Sequence, residues 1–371
     1  MTSQIKQRHS NLQKDSKIFV AGHKGLVGNA IVKSLHEQGF QNILTHTKDE
    51  LDLSNLVCVE NFFALHQPEF VFLAAAKVGG ILANTTYRAD FIYQNLAIQN
   101  NVIFSAYKYQ VKKLIFLGSS CIYPKETRQP IKEDYLLTSP LEYTNEPYAI
   151  AKIAGMKMCE SFNLQYGTNF LCLMPTNLYG SNDNFNLFHS HVIPALIRKM
   201  HLAKLLSQGN TQAALQDVRR DCAQTAKEAQ NILDTLLISD KAVGVWGSGK
   251  PRREFLHSSD MANASIHIMQ HVDFADILSL KKLNVADSEI RNTHINVGYG
   301  SDVSIQELAE LIKRIVGFEG EILYDSSKPD GTMQKLMDSS MLESLGFIPQ
   351  VSLEDGLKQM YEDYCRRFPI C

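Results

Sequence analysis

Tyr148 and Lys152 stand one helical turn apart in the run Asn145-Glu146-Pro147-Tyr148-Ala149-Ile150-Ala151-Lys152. On a helix that spacing turns both side chains to one face. A phenol ionises with an ordinary pKa of about 10 and exchanges its proton near neutrality only with help. An ammonium one turn away favours the phenolate. Upstream, Leu117-Gly118-Ser119-Ser120-Cys121-Ile122-Tyr123-Pro124 offers two hydroxyls and a thiol. A tyrosine, a lysine and a serine gathered on one sugar-type oxygen would move a proton to or from it while a hydride is transferred. Singly these residues say less. Tyrosine and lysine at this spacing are commonly a half-buried ring and a solvated charge. Cys121 alone reads as a small residue filling the end of a strand, and Ser120 competes with Ser119.

The elements that must hold these groups are a strand ahead of Gly118 and a helix from Tyr148 to about Tyr166. Lys113-Leu114-Ile115-Phe116-Leu117 is an apolar run of the kind a buried parallel strand shows. Earlier, Lys17-Ile18-Phe19-Val20-Ala21 predicts a strand that enters Gly22-His23-Lys24-Gly25-Leu26-Val27-Gly28. A helical pattern through Ile31, Val32 and Leu35 follows, stopping at Gly39. Strand, glycine turn and helix in this order form a dinucleotide fingerprint, with the pyrophosphate on the helix N-terminus. The next strand, Ile43-Leu44-Thr45, ends at His46-Thr47-Lys48 with no acid for a ribose 2′-hydroxyl. Cations there and at Lys24 suit a 2′-phosphate, so the expected cofactor is NADP(H); Lys24 and Lys48 also fit ordinary surface charges. Asp52 reads either as a contact on the adenine side or as a helix cap.

A third strand, Glu69 to Ala76, ends in alanines that let a cofactor lie close, and a loop over 77–81 follows. A long helix from about Ala89 to Tyr109 carries Asn95. It and the Tyr148 helix have aromatic and aliphatic outer faces that suit either a dimer surface or their own sheet. The strand Asn169–Met174 delivers Pro175-Thr176-Asn177-Leu178-Tyr179-Gly180 to the same edge. Leu117, Gly118, Ser120, Pro175, Asn177 and Leu178 therefore join the expected cofactor contacts. The pattern over 17–180 is an α/β Rossmann-type doubly wound parallel sheet, preceded by a loosely held extension over 1–16.

Residues 181–371 change texture and read as a smaller α/β substrate domain, with segments near 240–275 and 292–300 as candidates to rejoin the Rossmann domain. Within an insertion at 203–241, apolar residues from Leu215 to Leu236 recur at three or four and predict an amphipathic helix. A strand and turn lie at 243–249, then strand, helix and strand at 292–298, 302–317 and 321–324. Cationic loops in this half suit an anionic substrate. The chain has 371 residues and a formal net charge of −2. That balance leaves no bulk electrostatic case for nucleic acid or an anionic membrane, and no apolar run reaches membrane-spanning length. Seven scattered cysteines without CxxC pairs argue for free thiols in the cytoplasm and against a metal site. The first residues lack the apolar core of a secretory signal.

The glycine turn, the Ser119 segment and Tyr148-x-x-x-Lys152 together resemble the extended short-chain dehydrogenase/reductase superfamily. Longer runs narrow the resemblance. Ala74-Ala75-Ala76-Lys77-Val78-Gly79-Gly80-Ile81, Gly118–Pro124, Asn145–Lys152, Met174–Gly180 and Trp246-Gly247-Ser248-Gly249 look like the GDP-L-fucose synthase family, over about residues 17–365. The resemblance implies a two-part reaction with a GDP-sugar as the partner molecule. GDP-4-keto-6-deoxy-D-mannose would be epimerised at C3 and C5, and NADPH would then reduce the C4 ketone to GDP-L-fucose. It implies Cys121 and His191 as the acid–base pair of epimerisation, with His191 also bordering the cofactor. Tyr148, Ser119 and Lys152 would polarise and then protonate O4. A thiol's ordinary pKa of about 8.5 is near enough to neutrality for a cation to tune it.

His189 rivals His191, which the family's His-Val-Ile-Pro favours; a cap on the helix running into Pro194 is the plainer reading of His191. For diphosphate and guanine the resemblance points to Lys199, Trp246, Arg253, Asp330 and Lys335, with Arg252 as an alternative to Arg253. Trp246 would otherwise be read as a core or strand-end packing residue. Lys24 and Lys199 stand where the family often has arginine, so a bidentate grip is missing at both. The insertion is longer than in bacterial relatives and reads as a helix packed on the substrate domain or as a solvated excursion. A homodimer is the implied assembly.

Other enzyme readings fit less well. A UDP-hexose 4-epimerase keeping NAD would not need Cys121 as a base. A 4,6-dehydratase would carry an Asp-Glu pair where Cys121-Ile122 stands. A non-catalytic cofactor-sensing protein would commonly have lost Tyr148 or Lys152.

Overall fold

Strand β1 (Ile18–Ala21) is apolar and buried at every position, as a strand covered on both faces must be. It opens the first of two compact units in the computed structural model, which describes residues 12–328 and 330–369. In chain order follow α1 (Leu26–Glu37), β2 (Ile43–Leu44), α2 (Leu56–His66), β3 (Phe70–Leu73), α3 (Ile81–Thr86), α4 (Arg88–Lys108), β4 (Lys113–Leu117), α5 (Glu146–Tyr166) and β5 (Phe170–Pro175). The sheet runs β2-β1-β3-β4-β5 and then Ile295–Val297, parallel throughout. This is a Rossmann-type doubly wound sheet. The chain leaves β1 towards one edge to make β2, then returns to make β3 on the other side. That reversal opens a crevice over the carboxyl ends of β1 and β3, where such sheets bind ligands.

The first unit holds the described residues to Leu178, then Ser258–Gly300 and Leu336–Gln350. Residues 240–257, expected as candidates to rejoin it, lie in the second unit. There Arg252–His257 is a strand, paired antiparallel with Asp302–Ser304 and parallel with Gln334–Lys335. The helix Ser258–His271 does join the first unit, and packs on α1, where the Ser34 hydroxyl donates to Asn263 Oδ1 at 2.6 Å. Of the expected loose extension, residues 1–11 lie outside the described residues. Residues 13–16 are held: Lys14 Nζ donates to the Gln38 carbonyl at 2.6 Å and sits 4.1 Å over the Phe40 ring, and Ser16 is buried.

The second unit comprises Tyr179–His257, Ser301–Lys335 and the described residues from Val351. Its core gathers Leu196, Met200, Val218, Leu233, Leu308 and Met360. The single amphipathic helix expected near 215–236 is two, Thr211–Arg219 and Ala226–Thr235. The break has a local cause: Thr225 starts the second helix with a capping box to Glu228. Both helices are integral to the core. Val218, Ala229 and Leu233 are fully buried. The fully buried Arg198 donates from Nε to Asp217 Oδ1 at 2.8 Å and pairs with Asp221 at 2.8 Å. The Tyr364 hydroxyl donates to Asp217 Oδ2 at 2.7 Å.

Candidate active site

The glycine turn is shaped by close approach. Gly22 has φ +89°, and a Cβ there would stand 2.7 Å from the Ala75 nitrogen. A Cβ on Gly28 would stand 2.1 Å from the Gly22 carbonyl oxygen. Gly25 caps α1 without any side-chain bond, so the first-turn N–H groups of Leu26, Val27 and Gly28 can meet an anion. A dinucleotide pyrophosphate fits this cradle. His23 and His46 each keep a buried Nδ1 with no partner among the described residues, while Lys24 and Lys48 are exposed. Asp52 accepts from the Ser54 nitrogen and hydroxyl at 2.9 and 2.7 Å. The cap of α2 is instead Asn55, which accepts from Val57 and Cys58 nitrogens. Glu50, unnoticed in the sequence, accepts from the Thr47 nitrogen at 2.7 Å. Thr47 chiefly, then His46 and Lys24, hold its carboxyl below the usual range.

The catalytic wall grows from β4. Gly118 follows the strand because a Cβ there would meet Met174 Sδ at 2.1 Å. Ser119 then caps the short turn Ser120–Ile122, its Oγ accepting from the Cys121 nitrogen at 3.3 Å. That leaves the hydroxyl hydrogen for a ligand oxygen. Ser119 is half-buried whereas Ser120 is buried. Helix α5 opens on Pro147 and closes at Gly167, which has φ +64°. It lies directly on β4: a Cβ on Gly155 would be 2.6 Å from the Phe116 ring. This contact delivers Lys152, whose Nζ donates to the Leu117 carbonyl at 2.8 Å and lies 5.7 Å from the Tyr148 ring.

Burial pushes the Lys152 ammonium down to about 8, with Cys121 drawing it back upward. Burial also pushes the Tyr148 phenol above its ordinary value, and Cys121 adds to that. The spacing had suggested a phenolate favoured by lysine; desolvation outweighs that pull, and the phenol stays protonated at neutral pH. Cys121 is itself buried and close enough to act on both groups. Asn95 has a structural task the sequence did not disclose. Its side chain accepts from the Lys77 nitrogen and donates to the Lys77 carbonyl, both at 3.0 Å, fixing the loop after β3.

Pro175 ends β5, and Asn177 and Leu178 follow it half-buried. The remaining expected site residues belong to the second unit. His191 is exposed and stands at the N-cap of helix Val192–Ser207, yet its side chain makes no capping bond; desolvation holds the imidazole below its ordinary value. His189 is exposed. Lys199 is buried, its Nζ donating to the Gly244 carbonyl at 2.9 Å, and burial pushes it down to about 8. Trp246 is not a core residue: it is 63% exposed, with Lys328 Nζ 5.6 Å from its ring. Arg252 is committed to Asp302 and Glu307. Arg253 is oriented by the Thr332 and Arg252 carbonyls at 2.5 and 2.8 Å, and Lys335 pairs with it in register. Asp330 accepts from the Ser248 nitrogen and hydroxyl at 2.8 and 2.6 Å. One strand pair thus carries two neighbouring cations, as an anionic group requires.

The NAD dependent epimerase/dehydratase family model matches residues 18–286. A GDP-L-fucose synthase of Arabidopsis thaliana is 50% identical over 95% of this chain and 94% of its own. The GDP-L-fucose synthase of Escherichia coli is 46% identical, over 93% and 95%. Among solved structures, a GDP-6-OMe-4-keto-L-xylo-heptose reductase of Campylobacter jejuni superposes with a TM-score of 0.90 at 48% identity, covering 96% of this chain and 99% of the other. The chain belongs to the NAD dependent epimerase/dehydratase family and, within it, to the family of the GDP-L-fucose synthases.

Proposed function

We propose that this protein converts GDP-4-keto-6-deoxy-D-mannose to GDP-L-fucose in the cytoplasm, epimerising C3 and C5 and then reducing the C4 ketone with NADPH. The observation that carries the reading is the convergence of a hydroxyl, a thiol, a phenol and an ammonium on the carboxyl end of β4. Removing a proton beside the ketone builds negative charge on O4. Ser119 and the protonated Tyr148 are donors for that charge. Inversion needs a proton taken on one face and returned on the other, and Cys121 and His191 are the groups for it. NADPH supplies the hydride to C4 when bound. Tyr148 then gives its proton to O4, and the Lys152 ammonium eases the loss.

His46, Lys24 and Lys48 support NADPH over NADH through the 2′-phosphate, while the Glu50 carboxylate offsets part of their charge. Lys199, Arg253 and Lys335 take the diphosphate, and Trp246 with Asp330 the guanine. The six described cysteines are all free thiols, which supports a reducing compartment. Exposed Tyr93, Phe104 and Ile150 on α4 and α5 support a homodimer through those helices.

The test is to incubate the pure protein with GDP-4-keto-6-deoxymannose and NADPH in D₂O. GDP-L-fucose labelled at C3 and C5 is expected; a reduced but unepimerised sugar, or no oxidation of NADPH, refutes the proposal. The 48% identity to a GDP-4-keto-heptose reductase favours a second reading, C4 reduction of a seven-carbon GDP-sugar. Offering both sugars in one assay separates the two.

A further inference from the structure

Three polar residues outside the proton and hydride chemistry meet behind the Ser120–Ile122 turn that Ser119 caps. Tyr123 follows that turn directly and is buried. Its hydroxyl lies 2.8 Å from His294 Nε2 and 2.5 Å from Asn296 Oδ1. His294 and Asn296 are two apart along an extended segment and so present the same face. Asn296 is pinned on every side. Its nitrogen donates to Glu133 Oε1 at 3.0 Å, and its Nδ2 donates to the Ile131 and Asp338 carbonyls at 2.9 and 3.2 Å.

These partners decide where the protons are. Both Nδ2 hydrogens are used, so Oδ1 is an acceptor and Tyr123 donates to it. A hydroxyl has one hydrogen, so Tyr123 must accept from His294 Nε2–H. His294 is therefore the neutral Nε2–H tautomer, its buried Nδ1 facing no partner among the described residues. Burial, with Lys157 and Lys281 assisting, pushes that imidazole down to about 3, so the tautomer does not protonate at working pH.

The turn would gain from such an anchor. Three of its own bonds are long: Ser119 Oγ to the Cys121 nitrogen at 3.3 Å, and the Ile122 and Tyr123 nitrogens to the Ser119 and Ser120 carbonyls at 3.3 and 3.4 Å. Bonds of that length are weak.

We propose that the directed chain His294 to Tyr123 to Asn296 is a positioning device that holds the Ser119 hydroxyl and the Cys121 sulfur in register with Tyr148 and Lys152. The proposal rests on the function given above. It makes one turn serve both half-reactions, so loosening the turn slows epimerisation and reduction together.

The experiment compares wild type with Tyr123→Phe, His294→Gln and His294→Leu. Glutamine keeps an N–H donor; leucine does not. Tyr123→Phe and His294→Leu are expected to lower kcat for reduction by about 10–10²-fold, and deuterium entry at C3 in step, at near wild-type KM and NADPH affinity. His294→Gln should stay within about threefold of wild type, since the donor persists. Amide exchange over residues 119–123 should quicken in the two damaged variants while β1 and α4 keep their protection. Wild-type rates in Tyr123→Phe, equal damage from glutamine and leucine, or loss of NADPH binding with exchange rising everywhere would each overturn the proposal. Should the wild type fail to turn over this sugar, the functional reading falls, and the exchange at 119–123 alone still decides whether the chain fixes the turn.

Discussion

Replacing Asp217 by alanine tests whether the 203–241 insertion is part of the substrate unit's core. Asp217 accepts from Arg198 Nε at 2.8 Å, from the Tyr364 hydroxyl at 2.7 Å and from Arg220 Nη1 at 3.1 Å. Arg198 has no exposed surface. Removing one partner of a buried ion pair costs about 3–5 kcal/mol, because the other charge stays buried. Asp221 and the Phe185 carbonyl still serve the guanidinium, so the lower end, about 3 kcal/mol, is the expected loss. At about 2–4 °C per kcal/mol that is a fall of roughly 6–12 °C in Tm, read by circular dichroism. The turn at 220–225 should also become a site of protease cleavage. Replacing the pair together, Arg198→Met with Asp217→Leu, should melt closer to wild type than Asp217→Ala, since the fully buried charge goes with its partner and the charges that remain, Asp221 and Arg220, both reach solvent. An Asp217→Ala protein melting within about 1 °C of wild type would refute the reasoning, because a core-forming ion pair cannot be lost at no cost.

Other outcomes follow from the catalytic wall and its neighbours. Tyr148→Phe should depress NADPH oxidation by about 10²–10⁴-fold; a near-normal rate removes Tyr148 from its role. Cys121→Ala should abolish deuterium entry at C3 while leaving NADPH binding intact, and persistent labelling at the wild-type rate would assign the base elsewhere. Gly28→Ala puts a Cβ 2.1 Å from backbone and should weaken NADPH at least about tenfold, or 1.4 kcal/mol, read by fluorescence titration; unchanged affinity contradicts the cradle. His294 has a folded-state value near 3, below its ordinary 6.5, so its contribution is full above 6.5 and is lost as pH falls towards 3. Glu133, pushed upward by burial, acts in the opposite sense. Wild type should therefore lose more stability to urea than His294→Gln between pH 6.5 and 4, and parallel curves for the two would be the contrary result.

Much of the dinucleotide half was legible because its constraints are local. A glycine that must let backbone approach backbone leaves a mark at a fixed spacing, as Gly22 and Gly28 do. Strands covered on both faces read as unbroken apolar runs, and β1, β3, β5 and β4 after Lys113 are such runs. Elements whose partners are remote were harder. Arg252–His257 opens with two arginines and a glutamate and looks like a loop. It is a strand because Asp302–Ser304 and Gln334–Lys335 bracket it. The Tyr123–His294 bond joins positions 171 apart, and no periodicity reports a pairing of that kind. Asp52 and Asn55 are both good capping residues, and only the geometry of the turn gives the cap to Asn55.

The difference between placing a group and tuning it is clearest at Tyr148. Spacing put a lysine one turn from the phenol, and from that alone a lowered phenol pKa follows. The sign depends on a second quantity, how much water each group loses, and that is set by Gly155 bringing α5 onto β4 and by the rings of Phe116 and Phe91. Desolvation raises the phenol and lowers the ammonium at once, so at neutral pH the phenol keeps its proton beside a lysine that is still mostly charged. That is the form a reductase needs to finish with a proton on O4. The same burial that disfavours a base favours an acid, and how tightly α5 lies on the sheet sets which form of Tyr148 is at hand.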